Sequence, residues 1–140
     1  MSDSPVRELR LALTVDDFDG ALAFYRDTLG LPELADWSTE NGRVIVLDAG
    51  RATLELFDGP QAEYVDRVEV GRRVAGHVRV ALEVDDSAGV ADALERAGAE
   101  RIAGPVETPW RDRNVRMTAP DGLQLTLFTV LEGGEEPLAR

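Results

Sequence analysis

The chain is written twice. Arg10-Leu-Ala-Leu-Thr-Val-Asp-Asp17 returns as Arg79-Val-Ala-Leu-Glu-Val-Asp-Asp86, a shift of 69 residues from 10 to 79. Leu54-Glu-Leu-Phe57 returns as Leu125-Thr-Leu-Phe128, a shift of 71 from 54 to 125. Between the members of each pair lies a helix-like stretch ending in glycine, at Gly30 and Gly98. Two copies of one supersecondary unit bury together a face that neither buries alone. Such a chain is expected to form two half-modules around one shared cavity. The polar residues at matched positions then carry the information about function.

The periodicity gives the elements. Leu9, Leu11, Leu13 and Val15 alternate with Glu8, Arg10, Ala12 and Thr14, which predicts a strand with one apolar face. Asp16 and Asp17 offer a helix N-cap. Phe18, Leu22, Tyr25 and Leu29 then recur at helical spacing, and Gly30 suits a left-handed stop. Strands are predicted at about 33–37, 43–48 and 52–57, the last two as a hairpin turning at Gly50-Arg51. The charged stretch 58–76 reads as a connector with a short helix around Gln61–Val65. The pattern restarts with a strand at 77–84, a helix at about 87–97 and strands at about 102–107, 114–118 and 123–129. Ala119-Pro-Asp-Gly122 is a turn, with Pro presetting one dihedral angle and Gly allowing a reversed one. The chain is thus one α+β domain, with module one at about 7–58, a connector at about 59–76, module two at about 77–130 and a frayed tail at 131–140.

Composition narrows the function classes. The 140 residues include 44% hydrophobic and 30% charged side chains, as in a soluble globular chain. No apolar run approaches the roughly 20 residues needed to span a bilayer, and no secretory signal is visible. The lack of cysteine excludes disulfides and thiolate chemistry and fits a cytoplasmic setting. A net charge of −12 disfavours binding to nucleic acid or anionic membranes.

The apolar strand faces are expected to pack on the helices. The opposite faces carry Glu8, Arg10, Ala12 and Thr14; Thr53, Glu55 and Phe57; His77, Arg79, Ala81 and Glu83; Gln124, Thr126 and Phe128. That mixture is too polar for a dry core and suits the lining of a wet cup. Here the chain resembles the vicinal oxygen chelate superfamily, the glyoxalase, bleomycin-resistance and extradiol dioxygenase group. The resemblance is carried by Leu11–Pro32 with its Phe24-Tyr25-Arg26 and Leu29-Gly30-Leu31 strings, by Val80–Asp86, and by Ala119–Phe128. It implies two βαβββ modules whose sheets curl into a cup, within one chain or across a swapped homodimer. The group hosts unrelated chemistries, so membership alone does not name a reaction.

The resemblance also implies where metal-using members place their ligands. The matching positions here are Arg10, Glu55, Arg79 and Thr126. Guanidinium has no free lone pair and repels a cation, and Thr is a weak neutral donor. Only Glu55 keeps the ligand type, so no metal and no other cofactor is expected. His77, the only histidine, lies two residues before Arg79. It is weighed as a displaced ligand or general base against a structural role at the rim.

Arg10, Glu55 and Arg79 are expected to share the cavity, with Glu55 holding a guanidinium and Arg79 gripping a ligand by a forked contact. Alternatively, Glu83, Glu8 or backbone carbonyls satisfy Arg79. Arg10 should lower the pKa of Glu55. Trp37, Trp110, Phe57 and Phe128 supply apolar walls, and Trp110–Arg113 forms a loop at the mouth. Arg72 and Arg73 read as solvated. The expectation is a metal-free protein that sequesters or carries a planar, anionic or polyoxygenated small organic molecule. The alternative is an enzyme of the group, a lyase, isomerase or dioxygenase. It would use either a divalent ion on Glu55 and His77 or, without metal, Glu55 as base and Arg79 as oxyanion stabiliser.

Overall fold

The sequence repeat becomes two βαβββ modules joined edge to edge in one curved sheet. A computed structural model describes residues 4–28, 30–120 and 122–134. Module one contains β1 (Val6–Thr14), α1 (Phe18–Leu22), β2 (Glu33–Asp36), β3 (Val44–Asp48) and β4 (Thr53–Phe57). A helix, α2 (Gly59–Glu69), leads to module two. That module has β5 (Val78–Val84), α3 (Ser87–Arg96), β6 (Glu100–Glu107), β7 (Asp112–Thr118) and β8 (Gln124–Val130). The strand order is β2-β3-β4-β1-β5-β8-β7-β6. In each module the first strand runs parallel to the last, β1 to β4 and β5 to β8. The modules meet through antiparallel β1 and β5, with Leu9 opposite Leu82 and Ala12 opposite Arg79. Among the described residues no helix is long and apolar enough to cross a membrane.

The repeat extends to the helix caps. Asp17 Oδ1 accepts from the Gly20 amide at 2.9 Å, and Asp86 Oδ1 accepts from the Gly89 amide at 3.1 Å. A Cβ on Gly20 would lie 2.3 Å from the Asp17 carboxylate, and one on Gly89 would lie 2.4 Å from that of Asp86. Glycine therefore leaves room for the capping carboxylate, and a side chain would evict it. A lost cap of this kind costs about 1 kcal/mol. After Leu22 the first helix widens into a π-helical stretch, Ala23–Thr28, where regular helix was expected. Leu29 and Asp121 lie outside the described residues, as do positions 135–140 of the expected tail. Leu131–Gly134, also expected to fray, instead form a turn whose Leu131 amide donates to the Arg111 carbonyl at 2.9 Å.

Apolar packing occupies the convex side. Phe18 and Leu22 of α1 pack on Ile45, Leu47, Leu54 and Leu56. In module two, Ala91 of α3 packs with Val84, Val115, Met117 and Leu127. The concave side is different, because α2 lies in it. The segment expected to hold a short helix at 61–65 is helical over eleven residues. Asp58 caps it by accepting from the Gln61 amide at 2.8 Å, and Pro60 occupies its first turn. Its buried face is Gln61, Ala62, Val65, Asp66 and Glu69. Those positions follow helical spacing, but three are polar, so no apolar stripe announced the helix.

α2 is tied to module two by ions. Asp66 Oδ1 lies 2.9 Å from Arg116 Nη1 and 3.0 Å from Arg79 Nη1. Its Oδ2 accepts from Arg73 and from the Val74 and Ala75 amides at 2.8–3.1 Å. Glu69 Oε1 lies 2.8 Å from Arg116 Nη2, and its Oε2 accepts from Asn114 Nδ2 at 2.8 Å. Burial pushes the Asp66 carboxyl upward. Arg79, the Ala75 and Val74 amides and Arg116 outweigh that and hold it at about 2. Removing one partner from such a network strands buried charge. Asp66→Asn is expected to destabilise the fold by about 3–5 kcal/mol at neutral pH, read as a lower urea midpoint. A loss under 1 kcal/mol would mean that the network is not what seats α2.

Candidate functional site

A cavity of about 570 Å³ opens on the concave side, between module one, α2 and the start of β7. Arg10, Glu55, Thr126, Phe57, Phe128, Trp37 and Trp110 all line it, so seven of the residues singled out in the sequence meet in one place. Two do not. Arg79 is absent from the wall, and so is His77. Arg72 and Arg73 line a separate outer depression with Arg101.

Arg79 lies away from the cavity wall and meets the second of its two expectations in part, through a backbone carbonyl. It was expected to face a ligand or to be satisfied by Glu83, Glu8 or backbone carbonyls. It is 4% exposed, within ion-pair distance of Asp66 without hydrogen-bond alignment to it, and stacked over the Phe57 ring at 5.3 Å. Its Nη2 reaches the Ala62 carbonyl at 3.4 Å. α2 supplies this counter-charge, which a strand-by-strand matching of the modules could not anticipate. His77 is also placed elsewhere. It precedes β5, is exposed, and sets Nδ1 against the Thr14 carbonyl at 2.5 Å. The structure therefore gives no support to a shared site of Glu55 and His77.

Arg10 remains in the cavity but is not held by Glu55. Its Nε donates to Glu8 Oε2 at 3.0 Å, and the Thr53 hydroxyl donates to the same oxygen at 3.0 Å. The guanidinium lies 4.3 Å from the Phe128 ring centre and 5.5 Å from that of Trp37. The register explains the offset: Thr53 pairs with Arg10, while Glu55 pairs with Ala12. Thr126 is spent, since its hydroxyl accepts from Arg116 Nε at 3.0 Å and donates to Glu69 Oε1 at 3.4 Å.

Glu55 is 8% exposed and has no hydrogen bond or ion pair among the described residues. Its pKa is raised rather than lowered. Burial pushes it up, and the pull of Arg10 is too weak to reverse that.

Other wall residues escaped the sequence reading. Asp112 and Asn114 of β7 line the cavity, as do Gln61, Tyr64 and Glu69 of α2. One signal was present: Asp112, Asn114 and Arg116 alternate with Val115 and Met117, a polar face on a strand of module two. α2 gave no comparable signal. The Asp112 carboxyl is raised to about 7, first by burial, then by Glu69 and Glu55, against Arg10 and a hydrogen bond from Trp110. Four acidic side chains line the cavity (Asp36, Glu55, Glu69 and Asp112) against two arginines, Arg10 and Arg111. Arg111 pairs with Glu107. The wall is therefore acidic, and Arg79 would not reverse that sign were it counted there.

A metal centre does not fit these side chains. Of the four positions that the resemblance matches to metal ligands, two are guanidinium groups and a third is Thr126, whose hydroxyl is already bonded. Among the described residues no group of three or more His, Cys, Asp and Glu side chains is placed to hold an ion.

The sequence profile of the Glyoxalase/Bleomycin resistance protein/Dioxygenase superfamily matches residues 9–127. The chain belongs to that superfamily. No curated protein sequence matches it. Solved structures share the fold at low identity. A hypothetical protein, BH1468 from Bacillus halodurans C-125, aligns with a TM-score of 0.66 and 16% identity over 96% of this chain and 100% of that one. Methylmalonyl-CoA epimerase from Mycobacterium tuberculosis aligns at 0.61 and 18%, covering 93% and 92%. A variant of the Streptomyces coelicolor epimerase, in complex with 2-nitronate-propionyl-CoA, aligns at 0.59 and 20%, covering 92% and 99%.

The raised Asp112 carboxyl has a consequence for stability. In the unfolded chain Asp112 ionises near 3.8, in the folded chain near 7. Folding is therefore favoured below the first value, loses ground as pH rises through the second, and levels off above it. Asp112→Asn removes the titration. From pH 4 to pH 8 its unfolding free energy relative to wild type is expected to rise by roughly 2–4 kcal/mol. Parallel pH profiles for the two proteins would show that Asp112 ionises normally.

Proposed function

We propose that this superfamily member binds a planar small organic molecule in the cup without a divalent ion, and sequesters or carries it. The observation that carries the reading is the fate of the ligand positions: of Arg10, Glu55, Arg79 and Thr126, only Glu55 offers an unspent acceptor to the cavity. The volume suits a drug-sized compound, and Trp37, Trp110 and Tyr64 give it aromatic walls. Polyoxygenated compounds remain suitable. Anionic ones do not, because that expectation rested on Arg79 facing the cavity.

The protein's two tryptophans both line the cavity, so their emission reports its occupancy. Planar compounds that bind there are expected to change that emission. Purified protein soaked in Zn, Ni, Mn or Fe salts should lose them on dialysis. A stoichiometric ion that resists dialysis would overturn the metal-free reading.

Glu55 favours a second reading, a metal-independent acid–base enzyme. A buried carboxylate with a raised pKa and no partner is a better base than a salt-bridged one. Arg10, unlike Arg79, lines the cavity and has a free Nη2, so it would stabilise developing negative charge. Deuterium uptake from solvent into a bound compound, abolished in Glu55→Gln with binding retained, would establish this reading.

A homodimer is part of the proposal. Leu9 is 40% and Val78 36% exposed on the convex face of the central strands, an apolar surface suited to a second copy. Light scattering is expected to give a dimer for wild type and a monomer for Leu9→Arg. A monomeric wild type would remove the dimer.

A further inference from the structure

The cavity wall contains polar atoms with no partner. Arg10 Nη2, Gln61 Oε1, Asp112 Oδ1 and Asn114 Oδ1 are buried and unpaired among the described residues, and all four residues line the cavity. None of these residues is more than 8% exposed. An unpaired buried polar group costs about 1–3 kcal/mol, so four on one wall mark a place completed from outside. Their chemistry is uneven. Asn114 Nδ2 donates to Glu69, which fixes Oδ1 as its free end and makes it an acceptor. Asp112 and Gln61 add acceptor oxygens, and Arg10 alone adds a donor.

Charge points the same way. Of the ionisable groups on the wall, Arg10 is held by Glu8, Arg111 by Glu107 and Glu69 by Arg116. Asp36 has no ion pair but accepts from the Ser38 amide at 3.0 Å, and the buried Glu55 and Asp112 are left without an ion-pair partner among the described residues. Glu55 and Asp112 also repel one another. A cation between them relieves that repulsion and supplies the missing donors. The faces of Trp37, Tyr64 and Trp110 attract cations as well.

We propose that the cup recognises an organic ammonium ion, with the N–H donors on Glu55, Asp112 and Asn114, a planar body against the aromatic walls, and one acceptor on Arg10 Nη2. This rests on the cavity being the binding site, and it names the class of compound bound there.

Three probes with one aromatic body separate the possibilities: tyramine (ammonium), 4-ethylphenol (neutral) and 3-(4-hydroxyphenyl)propionate (anionic). Binding is read by tryptophan emission excited beyond phenol absorption, and by calorimetry. Tyramine is expected to bind about tenfold tighter than 4-ethylphenol, and the propionate weakest. Glu55→Gln and Asp112→Asn, both checked for an intact fold by circular dichroism, should each weaken tyramine about tenfold and leave 4-ethylphenol unchanged. Equal or tighter binding of the neutral or anionic probe would overturn the cation assignment while leaving the cavity as a binding site. So would tyramine affinities that match wild type in both variants. If no planar compound of any charge alters the emission, the binding reading falls and takes this inference with it.

Discussion

Two buried carboxylates on one helix decide how the concave side of this protein is used. Asp66 and Glu69 project from α2 onto Arg79 and Arg116 of module two. Arg116 is 1% exposed and Asp66 fully buried, so neither charge has solvent to fall back on. An isolated guanidinium at that depth would cost several kcal/mol. The ions require each other, and the helix that joins the modules also lines the cavity with Gln61, Tyr64, Val65 and Glu69. Gly42 allows the other end of that helix to settle, because any Cβ there would lie 2.3 Å from the Gln61 amide nitrogen.

The cavity's character follows from this arrangement. With Arg79 drawn to Asp66, one of the two cations matched by the repeat leaves the wall. α2 brings Gln61, Tyr64 and Glu69 in its place. β7 adds Asp112 and Asn114, whose side chains share the concave face with Arg116. Burial then acts on carboxylates that lack counter-ions, and both Glu55 and Asp112 rise above their ordinary range. The positions matched by the repeat are thus a stacked arginine, an unpaired glutamate, a buried arginine and a doubly bonded threonine. The cup is retained and its contents are changed.

Much of the architecture was legible in the residues. Alternation at 8–15 and 77–84, the cap at Asp16–Asp17, and the glycines at 30 and 98 are local signals, and the repeat supports them. The strand faces were assigned correctly apart from His77, which precedes β5, since a period of two separates them without reference to any neighbour. The length of α2 was hidden because its buried face carries Gln61, Asp66 and Glu69, which look like surface residues in a linear reading. Asp112 fell inside an expected loop and proved to begin a strand.

The sequence by itself determined the family and the paired modules, because each depends on residue identity and short-range spacing. Tertiary structure alone decided which arginine meets the cavity and which is neutralised. Ion pairing is set by distance in space, and Asp66 comes within reach of Arg79 and Arg116 only when the connecting helix folds back into the cup. The sign of the cavity's charge, and with it the kind of molecule that fits, therefore depends on contacts between residues far apart in the chain.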